Sequence, residues 1–179
     1  QEDNMDARQV QLMLTHSISI SEQFKIVTNV YDNTFSRNWY KLSGVVVEDS
    51  EKGLETVLAA PSNYPNHFAV LKGLANSDDN SLYVKANNRV YTSRGVQTKL
   101  DYHWYGKSGI FHDLEIGTRL HYDEEDRFQW EDGYRIQNAD MLLTSEGIKG
   151  AKGNRISSAT AWATYALYKL KYNGLSLSP

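Results

Sequence analysis

Apolar and polar residues alternate with a period of two along most of this chain. From Arg8 to Ile20, Val10, Leu12, Leu14, Ile18 and Ile20 fall on one side, with Gln9, Gln11, Thr15, Ser17 and Ser19 on the other. That pattern predicts a β-strand with two chemically distinct faces. After Ser21-Glu22-Gln23 the alternation resumes with Phe24, Ile26 and Val30, again on even positions. A three-residue loop keeps the apolar side chains on one face and pairs Ile20 with Phe24 and Ile18 with Ile26. A third strand, about Asn88 to Tyr105, carries Val96, Leu100, Tyr102 and Trp104 opposite Gln97, Lys99, Asp101 and His103. A fourth, about Gly109 to Asp123, sets Ile110, Leu114, Ile116, Leu120 and Tyr122 against Asp113, Glu115, Arg119 and His121. A Gly106-Lys107-Ser108 loop between them would place Lys99 opposite Glu115, a favourable cross-strand charge pair. The fifth strand, about Ile156 to Tyr172, ends in Asn173-Gly174, the strongest two-residue hairpin signal, which pairs Tyr172 with Leu175 and Leu170 with Leu177.

The remaining connections are long: about 41–87 and about 124–155, the first with Glu48, Asp49, Glu51, Asp78 and Asp79, the second closing on the glycines between Gly147 and Gly153. Connections of this length carry a function more often than not. Short and long connections alternate strictly, so all the long ones emerge at one end of the strands, the asymmetry of outer-membrane β-barrels. About 10 tilted residues cross a bilayer, and these strands are longer. A soluble β-sandwich or lipocalin-like barrel has the same two-faced strands and stays open at this point.

Composition narrows the choice only partly. The chain is 40% hydrophobic and 12% aromatic, with a mean hydropathy of −0.57. No stretch approaches the roughly 18 consecutive apolar residues of a membrane-spanning helix, whereas alternation hides barrel strands from a hydropathy average. The net charge of −3 argues against a nucleic-acid surface, and without cysteine there is neither disulfide nor thiolate metal site. The chain starts at Gln1 with no signal-peptide pattern and stops five residues past the Asn-Gly turn, which reads as a piece of a longer protein.

Particular words add to this picture. Phe24-Lys-Ile-Val-Thr-Asn-Val-Tyr31, Phe35-Ser-Arg-Asn-Trp-Tyr-Lys41 and Tyr91-Thr-Ser-Arg-Gly-Val-Gln97 resemble barrel strands of TonB-dependent outer-membrane receptors, the ferric citrate receptor branch above all. Leu114-Glu-Ile-Gly-Thr-Arg-Leu-His-Tyr-Asp123 followed by Asp126-Arg-Phe-Gln-Trp130 is the most specific match, and Ala161-Trp-Ala-Thr-Tyr-Ala-Leu-Tyr-Lys-Leu-Lys-Tyr172 also resembles such a strand. The resemblance implies an all-β, antiparallel up-and-down meander: five to six mid-barrel strands, 1–179, of a 22-stranded barrel in the outer membrane of a Gram-negative bacterium. It further implies a ferric chelate, citrate or another siderophore, as transported ligand, membrane lipid around the barrel, and the TonB complex acting through a plug that this piece does not contain. A passive porin-like channel and a soluble ligand-binding β-domain are the rival readings.

No nucleophile motif such as Gly-x-Ser-x-Gly and no phosphate-binding glycine loop is present, so binding and transport are expected, without catalysis or a cofactor. Ferric chelates are anionic and call for arginine forks facing the lumen or its mouth. Arg37, Arg89, Arg94, Arg119, Arg127 and Arg135 all lie towards the long-connection ends of strands or in those connections, with Arg94 and Arg119 the preferred lumen candidates; pairing with acidic neighbours is the plainer role for each. His103 and His121 share the polar face beside Asp101 and Asp123, spaced more widely than metal-binding pairs usually are. The acidic segments Asp123–Asp126 and Glu48–Glu55 lack EF-hand spacing and read as solvated loops. Trp39, Tyr40, Tyr122 and Trp162 are candidates for an outer aromatic girdle, and Phe24, Trp104 and Tyr172 for an inner one.

Overall fold

The alternation is realised as strands far longer than it spans in the sequence. In a computed structural model describing Asp3–Ser178, the strands are β1 (Asn4–Ser19), β2 (Phe24–Val47), β3 (Ser50–Gly53), β4 (Leu82–Tyr105), β5 (Phe111–Gln137), β6 (Asp140–Ser145), β7 (Gly153–Tyr172) and β8 (Leu175–Leu177). They make one open, antiparallel, eight-stranded sheet in the order β1-β2-β4-β5-β7-β8, with β3 added to β2 and β6 to β5. Two short helices, α1 (Leu54–Ala59) and α2 (Pro65–Leu71), and a 3-10 turn at Pro61–Asn63 lie between β3 and β4. The class is therefore mostly β, an up-and-down meander with a helical insertion, where the sequence suggested β-structure alone.

The three short hairpins keep the expected parity. Ile20 N–H donates to Phe24 C=O at 2.9 Å, and further along the pair Thr15 Oγ1 donates to Asn29 Oδ1 at 2.7 Å. Tyr172 faces Leu175 and Leu170 faces Leu177, across a turn in which Asn173 (φ 43°) and Gly174 (φ 84°) are both left-handed, as a type I′ turn requires. The middle hairpin is shifted. Gly106 N–H donates to Ile110 C=O at 2.8 Å, and Gly109 N–H returns to Gly106 C=O at 3.1 Å. The loop is thus Lys107–Gly109, because Gly109 (φ 74°) supplies the left-handed residue that ends a three-residue hairpin loop. Loop length stays odd, so the faces are unchanged, and Lys99 Nζ still reaches Glu115 Oε2 at 3.0 Å as a diagonal neighbour.

Both long connections prove largely ordered. β2 continues to Val47 and turns through Glu48 (φ 51°) and Asp49 (φ 62°) so that Val47 pairs with Ser50. β5 continues to Gln137 and turns through Asn138 (φ 54°) and Ala139 (φ 69°) so that Gln137 pairs with Asp140. Neither turn contains glycine, and left-handed geometry costs a side-chain-bearing residue about 1–2 kcal/mol, so neither announces itself in the sequence. α2 opens with Pro65 at its first position, where the missing N–H costs nothing. It closes on Gly73 (φ 69°), whose N–H reaches Val70 C=O while Leu74 N–H reaches Ala69 C=O, both at 2.9 Å.

The chain divides into two compact units. One, built mainly from Ser36–Val90 and Glu125–Ile156, has a conventional core. Val45, Val57, Val70, Leu82, Val84, Tyr134 and Ile136 are buried there against one another, with Tyr64, Phe68 and Met141 packed around them. The helices exist because of this core: α1 contributes Val57 and α2 contributes Val70, and helices of this length do not hold together without packing. The other unit, from Gln9–Phe35, Tyr91–Glu124 and the chain beyond Ser157, is purely strand and turn. Among the described residues, every buried hydrophobic side chain belongs to the first unit. In the strand unit no even-numbered apolar residue among those described is buried; Phe24, Ile26, Leu100 and Leu114 are half-buried, while Leu12 is 66%, Leu14 70%, Ile20 62% and Trp162 78% exposed.

This contrast predicts opposite sensitivities. Leu82→Ala, at a site 2% exposed, is expected to lower the unfolding free energy of the core-bearing unit by about 2–5 kcal/mol. Denaturant unfolding followed through Trp130 fluorescence measures it, and a loss below about 1 kcal/mol would contradict the packing described.

Candidate functional site

The odd-numbered face of the strand unit gathers its polar side chains. Tyr31 on β2 leans across β4 at Gly95, where an added Cβ would lie 2.5 Å from the Tyr31 hydroxyl oxygen. Only glycine allows that passage, and a glycine inside a strand commonly marks such a close approach. The Tyr31 hydroxyl thereby reaches β5, 2.5 Å from His121 Nδ1. Arg119 Nε donates to the Tyr31 oxygen at 3.0 Å, and Arg119 Nη2 lies 3.1 Å from His121 Nδ1. His121 Nε2 is 2.6 Å from Asp123 Oδ2. Two donors converge on Nδ1, which assigns the ring proton to Nε2 and the donation to Asp123. The Arg119 guanidinium also stands 5.5 Å from the Tyr31 ring centre. A second cluster repeats the device: Tyr165 lies over Gly117 and donates to Glu115 Oε1 at 2.8 Å, and Lys99 bridges Glu115 and Asp101 at 3.0 and 3.1 Å.

The even-numbered face is different in kind. Aromatic rings run across the strands towards the short-turn ends. Phe24 meets Tyr102 (6.0 Å between centres), Tyr102 meets Trp104 (5.1 Å), and Trp104 stacks on His112 (4.7 Å), which stacks on Tyr168 (6.0 Å). At the other end of the same face Trp162 Nε1 donates to Thr118 Oγ1 at 2.8 Å, and Tyr122 donates to Glu124.

The candidate arginines separate accordingly. Arg94 is even-numbered and stands on the apolar face, in a groove with Val30, Val96, Leu120 and Tyr122, where it ion-pairs with Asp32 at 3.6 Å. It is therefore on the opposite face from Arg119, a separation already implicit in their parity. Arg89 and Arg127, in the core-bearing unit, share Glu125 at 3.0 and 3.5 Å. Arg135 pairs with Asp79 at 3.0 Å. Arg37, half-buried on β2, makes no ion pair among the described residues. The structure thus brings Arg89 and Arg127 together at Glu125 in the core-bearing unit, and holds Arg119 against Tyr31 and His121 in the strand unit. His103 lies against the Phe111 ring at 5.8 Å, while His121 is engaged by Tyr31 and Asp123. Among the described residues no group of three or more His, Asp or Glu side chains is disposed to hold a metal ion.

In the core-bearing unit, Tyr40, a girdle candidate, packs against the core. Its hydroxyl donates to Asp132 and lies 3.0 Å from the Tyr134 oxygen, while the other Asp132 oxygen accepts Gly147 N–H at 2.7 Å. Gly147 sits so close to Glu131 that a Cβ would fall 2.0 Å from its carbonyl oxygen. One carboxylate thus ties the 145–153 segment to β5. Burial, and then the bond to Asp132, push the Tyr40 phenol far above the usual tyrosine range.

Comparison with protein-family models, curated proteins and solved structures finds no match to this chain. No helix among the described residues is long and apolar enough to cross a membrane.

The Tyr40 bond carries a pH signature. A phenol whose folded pKa is raised stabilises the fold fully below about pH 10, its unfolded value, and loses that contribution as pH rises towards the folded one. Unfolding free energy is expected to fall with pH above about 10, with a shallower fall in Tyr40→Phe; identical slopes in denaturant titrations of the two proteins would rule the linkage out.

Proposed function

We propose that this chain is a wall segment of an outer-membrane β-barrel receptor of the TonB-dependent type, which binds ferric chelates such as ferric citrate and passes them inward without chemical change. The observation that carries the reading is the uncovered apolar face of the strand unit. Fully burying a large apolar side chain is worth about 1.5–3 kcal/mol, so a face bearing Leu12, Leu14, Ile20, Leu120 and Trp162 in the open calls for a cover. Lipid is a cover that matches its features. The strands exceed the roughly 10 tilted residues needed to cross a bilayer, β2, β4 and β5 being 24, 24 and 27 residues long. The aromatic row near the short turns suits the headgroup level. The opposite face, with Arg119, His121, Glu115 and Lys99, suits a water-filled lumen. The family-like segments of β2, β4, β5 and β7 support the receptor type over a passive channel.

In this reading Arg37, Arg89, Arg119 and Arg127 face the ligand path, the membrane surrounds the even-numbered face, and the TonB complex acts on the receptor through its plug. Arg94, with Tyr122 beside it, belongs with the lipid interface, where long cationic side chains extend to the headgroups.

These 179 residues contain no cysteine, so with any cysteine elsewhere in the protein replaced by serine, single-cysteine labelling reads one position at a time. In outer membranes carrying the whole protein, Leu12→Cys and Leu120→Cys are expected to react only with a lipid-soluble maleimide, and Gln11→Cys and Gln97→Cys with a membrane-impermeant one. Ferric citrate uptake is expected to need TonB. Water-accessible labelling at all four positions would remove the membrane reading, and TonB-independent uptake would favour a porin-like channel.

A further inference from the structure

We infer that Arg119 is a preassembled oxyanion site in which Tyr31 and His121 act as positioning residues. Five arginines lie on β4 and β5: Arg89, Arg94, Arg119, Arg127 and Arg135. Four are ion-paired, to Glu125, Asp32, Glu125 and Asp79 respectively. Among the described residues Arg119 alone of the five has no carboxylate within ion-pair distance, and it is exposed.

What it has instead are two neutral acceptors on one edge. Nε bonds the Tyr31 oxygen and Nη2 the His121 Nδ1, which uses the side-on edge of the guanidinium. The end-on edge, one N–H from each terminal nitrogen, stays open. Its two parallel donors match the two oxygens of a carboxylate or phosphate. The nearby acid does not fill that role, because Asp123 is held by His121 Nε2. The order of donation runs one way: Arg119 to Tyr31, Tyr31 to His121, His121 to Asp123. Each member is held by the next, with Gly95 giving the Tyr31 ring its passage. A cation oriented without being neutralised is what an anion site needs and what a purely structural arginine does not.

The ligand class is a small oxyanion, carboxylate or phosphate, approaching from the polar face. Its placement in a receptor lumen rests on the barrel reading; its chemistry does not. The test uses the full chain folded in detergent micelles, with sodium citrate and inorganic phosphate as separate probes in titration calorimetry. At least one probe is expected to bind. Loss of one charge-assisted hydrogen bond is worth about 1.5–3 kcal/mol, so affinity is expected to fall by about tenfold or more in Arg119→Lys, which keeps the charge and loses the fork. Tyr31→Phe keeps the ring and removes the acceptor, and is expected to weaken binding by about tenfold with the strand circular dichroism unchanged. Arg94→Gln, on the other face, is expected to bind like the parent. Binding of neither probe, or Arg119→Lys binding as the parent does, would overturn the site. Because lipid-facing labelling is read separately, an anion site that fails leaves the barrel standing, and Arg119-dependent binding by a chain that folds without lipid or detergent does the reverse.

Discussion

A β-strand with one apolar face must have that face covered, and the two units meet the requirement in different ways. In the core-bearing unit the sheet is covered from within the chain: α1 and α2 bring Val57 and Val70 onto Val45, Leu82 and Val84, all nearly or fully buried. In the strand unit nothing among the described residues plays that part. Its even-numbered residues project from an open sheet, where they contribute no burial free energy, and contiguous exposed apolar surface marks a place where another molecule or lipid is met. The proposed function follows from asking what supplies the missing cover.

The same alternation organises the other face. Because side chains point to opposite sides in turn, the odd positions that oppose Leu120 and Tyr122 are Arg119, His121 and Asp123. The polar network and the apolar surface are two consequences of one register. The glycines at 95 and 117 interrupt the polar face where Tyr31 and Tyr165 must cross to a neighbouring strand, so each aromatic spends its ring on a gap in the sheet and its hydroxyl on a distant partner.

Legibility in the sequence followed how local each signal was. The strand faces, the Ile20–Phe24 closure and the Tyr172–Leu175 register came from short-range pattern and turn chemistry, and they hold. The loop before Ile110 lies one residue later than pattern alone predicts, because the left-handed position belongs to Gly109, and three nearby residues, Gly106, Ser108 and Gly109, compete as turn formers. The turns at Glu48-Asp49 and Asn138-Ala139 have no glycine, and the strands around them lose their alternation where they enter a core, as in Val45-Val46-Val47. Their pairing depends on distant residues that periodicity does not see. Of the site, Arg119 and His121 were visible as polar-face residues. Tyr31 carries no local signal of its role, although Gly95 in mid-strand is the trace its ring leaves. Arg94 was grouped with Arg119 by chemistry, and parity alone separates them.

The claim that lipid covers the even-numbered face is tested most directly by fluorescence quenching in bilayers with brominated acyl chains. In a variant keeping only Trp162, which is 78% exposed on that face, the account predicts strong quenching that varies with bromine depth. A variant keeping only Trp130, in the core-bearing unit, should be unaffected. Trp162 emission indifferent to brominated lipid but quenched by aqueous acrylamide would contradict the account.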